Sequence, residues 1–88
     1  MPPAPSAGDL EIALDQLLRK SQYAGPRHVK VVAVGLESSP VYLVSLGADA
    51  AKVLGNALAP VLGTRSQPSP TSWVLFRNDA TAILRTPR

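Results

Sequence analysis

The fold turns on one stretch, Ser72-Trp73-Val74-Leu75-Phe76-Arg77-Asn78-Asp79-Ala80-Thr81-Ala82-Ile83-Leu84-Arg85. Asn and Asp bond readily to nearby backbone and tolerate tight turns, so Asn78-Asp79 reads as a hairpin tip. Ser72 to Arg77 and Ala80 to Arg85 are then two antiparallel strands, with Arg77 facing Ala80, Phe76 facing Thr81 and Val74 facing Ile83. Alternation puts Trp73, Leu75, Ala82 and Leu84 on one face, and Val74, Phe76, Thr81 and Ile83 on the other. Both faces are mainly apolar.

The residues before this stretch complete the pattern. Leu10, Ala13, Leu14, Leu17 and Leu18 fall at helical spacing, predicting a helix from about Asp9 to Gln22. Ser6 or Asp9 is placed to cap it, acids fill its first turn, and Arg19 and Lys20 fill its last. Asp15 and Arg19, four apart, are spaced to pair, and Ala24-Gly25-Pro26 stops the helix. Val29, Val31, Val32 and Val34 then predict a strand over His28 to Leu36, because β-branched side chains favour the pleated backbone. A turn at Glu37-Ser38-Ser39-Pro40 and a second strand, Val41 to Leu46, give an antiparallel hairpin. Tyr42, Val44 and Leu46 alternate there with Val41 and Leu43.

Gly47 breaks that strand and a second helix runs from Ala48 to Leu62. Its polar residues, Asp49, Lys52 and Asn56, form one narrow stripe, so most of its circumference should be buried. Pro60 removes a helix hydrogen bond and disturbs the last turn, and Gly63 is a suitable C-terminal residue. Residues 64–71 read as a polar surface loop, and residues 1–8 as a flexible tail rich in Pro, Ala and Ser. The expected architecture is a single small α+β domain over residues 9–88. Its order is α-β-β-α-β-β, with a four-stranded antiparallel sheet and two helices.

Composition narrows the function. The chain has 88 residues and no cysteine, which removes disulfides, thiolate metal sites and cysteine nucleophiles. A single histidine cannot build a multi-histidine metal centre. His28, between Arg27 and Lys30, has no adjacent nucleophile or carboxylate to work with and reads as a surface residue. Glu37, Asp49 and Asp79 are isolated in sequence and suit turns or helix starts. Gly63-Thr64-Arg65-Ser66 lacks the lysine of a phosphate loop, and Ser39-Pro40 and Ser69-Pro70 read as turn pairs. No enzymatic activity, cofactor, metal or small-molecule substrate is expected. The opening Met1-Pro2-Pro3-Ala4-Pro5-Ser6 has neither the charged nor the apolar region of a signal peptide. No apolar run reaches the ~18 residues of a membrane helix. A cytoplasmic protein without membrane contact is the expectation.

A sheet covered by one helical layer normally turns a polar face to water. Here that polar face is absent from the pattern, which implies either a helix on each side or a second subunit. The leading expectation is a small non-enzymatic homo- or hetero-oligomer, a protein-protein interaction or adaptor module assembling through apolar sheet and helix surfaces. Trp73, Leu75, Phe76, Ile83 and Leu84 are its interface candidates, since aromatic and aliphatic anchors dominate interface energies. On this reading Trp73→Asp breaks assembly and leaves a soluble subunit.

The alternative is a small basic nucleic-acid-binding regulator. Nine Lys and Arg against six Asp and Glu give +3, and three of those acids lie in the first fifteen residues. Lys30, Arg65, Arg77 and Arg85 are the phosphate-contact candidates, with Arg88 and Trp73 nearby in sequence. Against it, charged residues are 17% of the chain, below the ~25% usual for soluble domains, so the basic balance reflects scarce acids.

The order helix, hairpin, helix, hairpin resembles the core of the Roadblock/dynein-light-chain family. Leu14-Asp15-Gln16-Leu17-Leu18 and the Ala-rich second helix carry the resemblance. The further strand and final helix of longer members, and the family's turn pattern between the first two strands, are not evident. The resemblance illustrates what such a topology supports, namely small dimeric scaffolds for GTPase-related complexes.

Overall fold

A computed structural model describes residues 4–62 and 71–86. Of the expected loop at 64–71 only Thr71 is described, and residues 1–3 and 87–88 lie outside the described residues. The elements run α1 (Ala7–Lys20), β1 (Val29–Leu36), β2 (Ser39–Leu46), α2 (Ala48–Leu62), β3 (Ser72–Phe76) and α3 (Arg77–Arg85). The class is α+β, but with three strands and three helices.

Helix α1 forms where the apolar stripe predicts it. Leu10, Ala13, Leu14, Leu17 and Leu18 are its buried residues. It begins two residues earlier than expected because Ser6 is the cap, its hydroxyl accepting the Asp9 N–H at 3.0 Å. It also ends two residues earlier than the expected Gln22, at Lys20. The Gln22 N–H donates to the Arg19 carbonyl and the Tyr23 N–H to the Leu18 carbonyl, with Gln22 in the left-handed region at φ 59°. This is the Schellman closure that glycine usually provides, here made by glutamine. Asp15 pairs with Arg19 at 3.3 Å as its spacing predicts, and also with Arg27 at 2.9 Å, tying the helix to the approach of β1.

The sheet is antiparallel in the order β1-β2-β3. The hairpin turn is only Glu37-Ser38, since Leu36 pairs with Ser39 and Gly35 with Pro40. Gly35 adopts φ 91°, a conformation strained for any residue with a Cβ. Pro40 therefore lies inside β2, not in the turn. It is tolerated because it lies beyond β3, whose last pairing is Phe76 with Val41. β1 is an edge strand, and its Val31 N–H donates to the Glu11 carboxylate of α1 at 3.3 Å. That charge caps part of an edge otherwise open to strand addition.

The second hairpin is replaced by a strand followed directly by a helix. Asp79 does not turn the chain between strands; it starts α3. Its carboxylate accepts the Phe76 N–H at 2.9 Å, and the side chain is buried with 1% exposure. This satisfies one orphan donor at the helix start, as the acidic residue of a capping box does. Ala80, Ile83 and Leu84 lie three and four apart, and the first two are fully buried. The Thr81 hydroxyl also donates to the Arg77 carbonyl at 3.0 Å, a local helical contact. Six residues with both a two-fold and a helical pattern are too few for periodicity to decide between strand and helix.

All three helices share one face of the sheet. α1 packs on β1, α3 on β2 and β3, and α2 packs against α1 and α3. Tyr42, Val44 and Leu46 of β2, with Trp73 and Leu75 of β3, point into one core with Leu54 and Leu58 of α2. The polar stripe of α2, Asp49, Lys52 and Asn56, faces solvent as predicted. Burial of the rest is less complete than expected, since Ala48, Ala59 and Pro60 are also exposed.

Candidate interaction surface

The register defines the uncovered face residue by residue. Val32 pairs with Leu43 and Leu43 with Val74; Val34 pairs with Val41 and Val41 with Phe76. These two rows of three run straight across the sheet on the side opposite the helices. Leu36 extends them at one end. At the other end stands the polar row Lys30, Ser45 and Ser72.

The rows are open to solvent. Val32, Val34 and Leu43 are 42–45% exposed, Phe76 57% and Leu36 73%, while Val41 and Val74 are half-buried. Leu43 matters most, because a central-strand leucine with that exposure has nothing above it. No charged side chain falls within the two rows, and Lys30 marks their rim. An exposed aliphatic and aromatic surface depleted of charge is the composition of an interface centre.

Of the five interface candidates, Phe76 lies on this face. Trp73, Leu75 and Ile83 are 2%, 0% and 0% exposed and pack in the core of the single chain, and Leu84 is partly buried against that core. Trp73, Leu75 and Ile83 have almost no surface to present to a partner. The expectation that Trp73→Asp breaks only assembly is therefore replaced by loss of the fold, because the charge would sit in the core. The sequence signal for the uncovered face was the second parity of each strand: Val32 and Val34, Val41 and Leu43, Val74 and Phe76.

The basic candidates are not gathered. Lys30 lies at one end of the outer face and Arg77 follows Phe76 at the other. Arg77 donates to the Ser38 carbonyl at 2.6 Å, tying the start of α3 to the hairpin turn. Arg85 is exposed in the last turn of α3, and Arg65 and Arg88 lie outside the described residues. His28 is exposed just before β1. Among the described residues no group of three or more His, Asp or Glu is placed to hold a metal ion, and no helix is long and apolar enough to cross a membrane.

Tyr42 lies beneath the face. Its ring is fully buried and its hydroxyl donates to the Pro5 carbonyl, so the segment before α1 is pinned to the central strand. Burial pushes this phenol above its ordinary value of 10.0, and the positive charge of Arg77 draws it partly back. A tyrosine with a raised folded pKa contributes stability that is complete below the unfolded value near 10. That stability is lost as pH rises through the folded value. Urea unfolding of wild type should weaken more steeply above pH ~10 than that of Tyr42→Phe. Identical alkaline slopes would show that Tyr42 is open to water.

No family model, no curated protein and no solved structure matches this chain. The helix, hairpin, helix, hairpin order that resembles the Roadblock/dynein-light-chain core is not the observed one, since the second hairpin is a strand and a helix.

Proposed function

We propose that this protein is a small non-enzymatic oligomeric interaction or adaptor module, with the outer face of its sheet as the assembling surface. The observation that carries the reading is the pair of apolar rows, Val32–Leu43–Val74 and Val34–Val41–Phe76, on the side away from all three helices. Leaving such surface in water is unfavourable by ~25 cal/mol per Å², so an uncovered apolar face is a standing drive to associate. Of the anchors that composition suggests, Phe76 remains, joined by Leu43 and Val34. The basic side chains form no continuous patch among the described residues, which leaves phosphate recognition with less support.

The test is the absolute mass in solution by size-exclusion chromatography with light scattering, at low and high salt. Assembly through apolar surface predicts a mass above the 9.2 kDa chain at both salts. A monomer at both salts overturns the reading. Binding to DNA or RNA that falls steeply with salt, and is lost on Arg77→Glu with Arg85→Glu, would instead establish the nucleic-acid alternative.

A further inference from the structure

We propose that the occupant of the outer face is a second copy of this chain, packed sheet on sheet about a two-fold axis running across the strands. This rests on the reading of that face as the assembling surface and adds the partner and its register. Such an axis lays β1 over β1, β2 over β2 and β3 over β3, each reversed end for end.

Three observations select this arrangement. The first is the match of large to small side chains. With the axis between the two rows, Leu43 lies over Val41 of the partner subunit, and Phe76 over the partner subunit's Val74. Each large side chain meets a smaller one, so the layers interdigitate. The other two-fold in the interface plane, along the strands, sets Leu43 on the partner's Leu43 and Val41 on the partner's Val41. On the central strand, that register crowds Leu43 against its copy and leaves a gap between the two Val41 side chains.

The second observation is charge. Reversal about the cross-strand axis carries Lys30, at one end of β1, over the partner subunit's Leu36 and the adjoining Glu37 turn. The lysine stem covers the 73%-exposed Leu36 while its ammonium reaches the carboxylate. Symmetry makes the contact twice. The axis along the strands lays β1 over the partner subunit's β3 and sets Lys30 over the partner subunit's Ser72, away from any carboxylate of that face.

The third is area. Weighted by their exposures, the outer apolar side chains present roughly 500 Å², near the upper end for one patch on a monomer. Two copies face to face bury about 1,000 Å², the level at which specific interfaces begin. Within this sequence, residues 63–70 are Gly, Thr, Arg, Ser, Gln, Pro, Ser and Pro, and include no Val, Leu, Ile, Met or aromatic residue.

Sedimentation equilibrium on the full chain decides it, using wild type, Leu43→Glu, Lys30→Glu, Glu37→Lys and the double charge swap. Far-UV circular dichroism checks each fold, and Val34→Glu serves as a second face variant if Leu43→Glu unfolds. The expected wild type is a two-chain species. Leu43→Glu weakens it at least ~100-fold without changing the fold, because a carboxylate is buried unpaired at the centre. Each single charge reversal weakens it about tenfold, and the double swap restores affinity to within about threefold.

A face-dependent dimer in which the double swap is as weak as the two single reversals combined overturns this arrangement and leaves the assembling surface standing. A closed assembly larger than two chains does the same. A monomer, or a dimer indifferent to both Leu43→Glu and Val34→Glu, overturns the arrangement and the surface together.

Discussion

Trp73→Ala should remove about 3–5 kcal/mol, the usual cost of deleting a buried large aromatic side chain. The indole is 2% exposed and lies on the inner face of β3, paired in register with Val44 of the central strand. A domain of this size has only ~0.05–0.15 kcal/mol of stability per residue, so such a loss would take much or all of it. The side chain also carries an unusual feature. Among the described residues its Nε1–H is buried without a hydrogen-bond partner. A buried donor of that kind costs free energy in the folded state, and replacing it with an apolar ring removes the cost. Trp73→Phe should therefore lose no more than about half of what Trp73→Ala loses, the residue being the smaller ring's cavity. Urea unfolding of the three proteins measures this. Equal losses for Phe and Ala would mean that the indole N–H is bonded in solution.

Asp79→Ala is the second large effect, expected at about 2–3 kcal/mol. The carboxylate is buried at the junction of β3 and α3 and accepts the Phe76 N–H at 2.9 Å. Its removal orphans that donor and deprives the helix start of its negative charge. Asp79→Asn keeps a side-chain oxygen in the same place and should recover more than half of the loss. Thermal melting of the two variants distinguishes a capping role from simple loss of volume. If Asn and Ala melt together, the bond to Phe76 is not what holds the junction. Loss of this cap should also disturb the outer face, because Phe76 stands immediately before the helix and is the largest side chain exposed there.

Much of the local structure was legible because its signals are periodic and redundant. The α1 stripe from Leu10 to Leu18 repeats over more than two turns, and the valines of β1 leave no helical face. The limits of α2, from Ala48 to Leu62, also coincide with the expected ones. The segment after Phe76 was not legible in this way. Asn78-Asp79 suits a turn and a helix start equally, and what separates them is whether the Asp79 carboxylate finds the Phe76 N–H three residues back. That contact is local, but its burial comes from packing on the sheet.

The same division runs through the candidate surface. Composition and alternation alone establish that both parities of each strand are apolar, that cysteine chemistry is absent, and that the polar outer face usual for a one-layer cover is missing. They do not say which parity faces the helices. A one-residue change of register exchanges the two faces of a strand completely, so Trp73 and Leu75 against Val74 and Phe76 is a choice that sequence leaves open. The tertiary structure decides it by placing α1 and α3 on one side, where the larger Trp73, Leu75 and Tyr42 fill the space beneath them. What remains for the open side is the smaller set of Val32, Val34, Leu36, Val41, Leu43, Val74 and Phe76. The sequence by itself determines that both faces of the sheet are apolar; only helix placement determines that one is left open and which residues form it, because burial is a property of what lies above a side chain and not of the side chain alone.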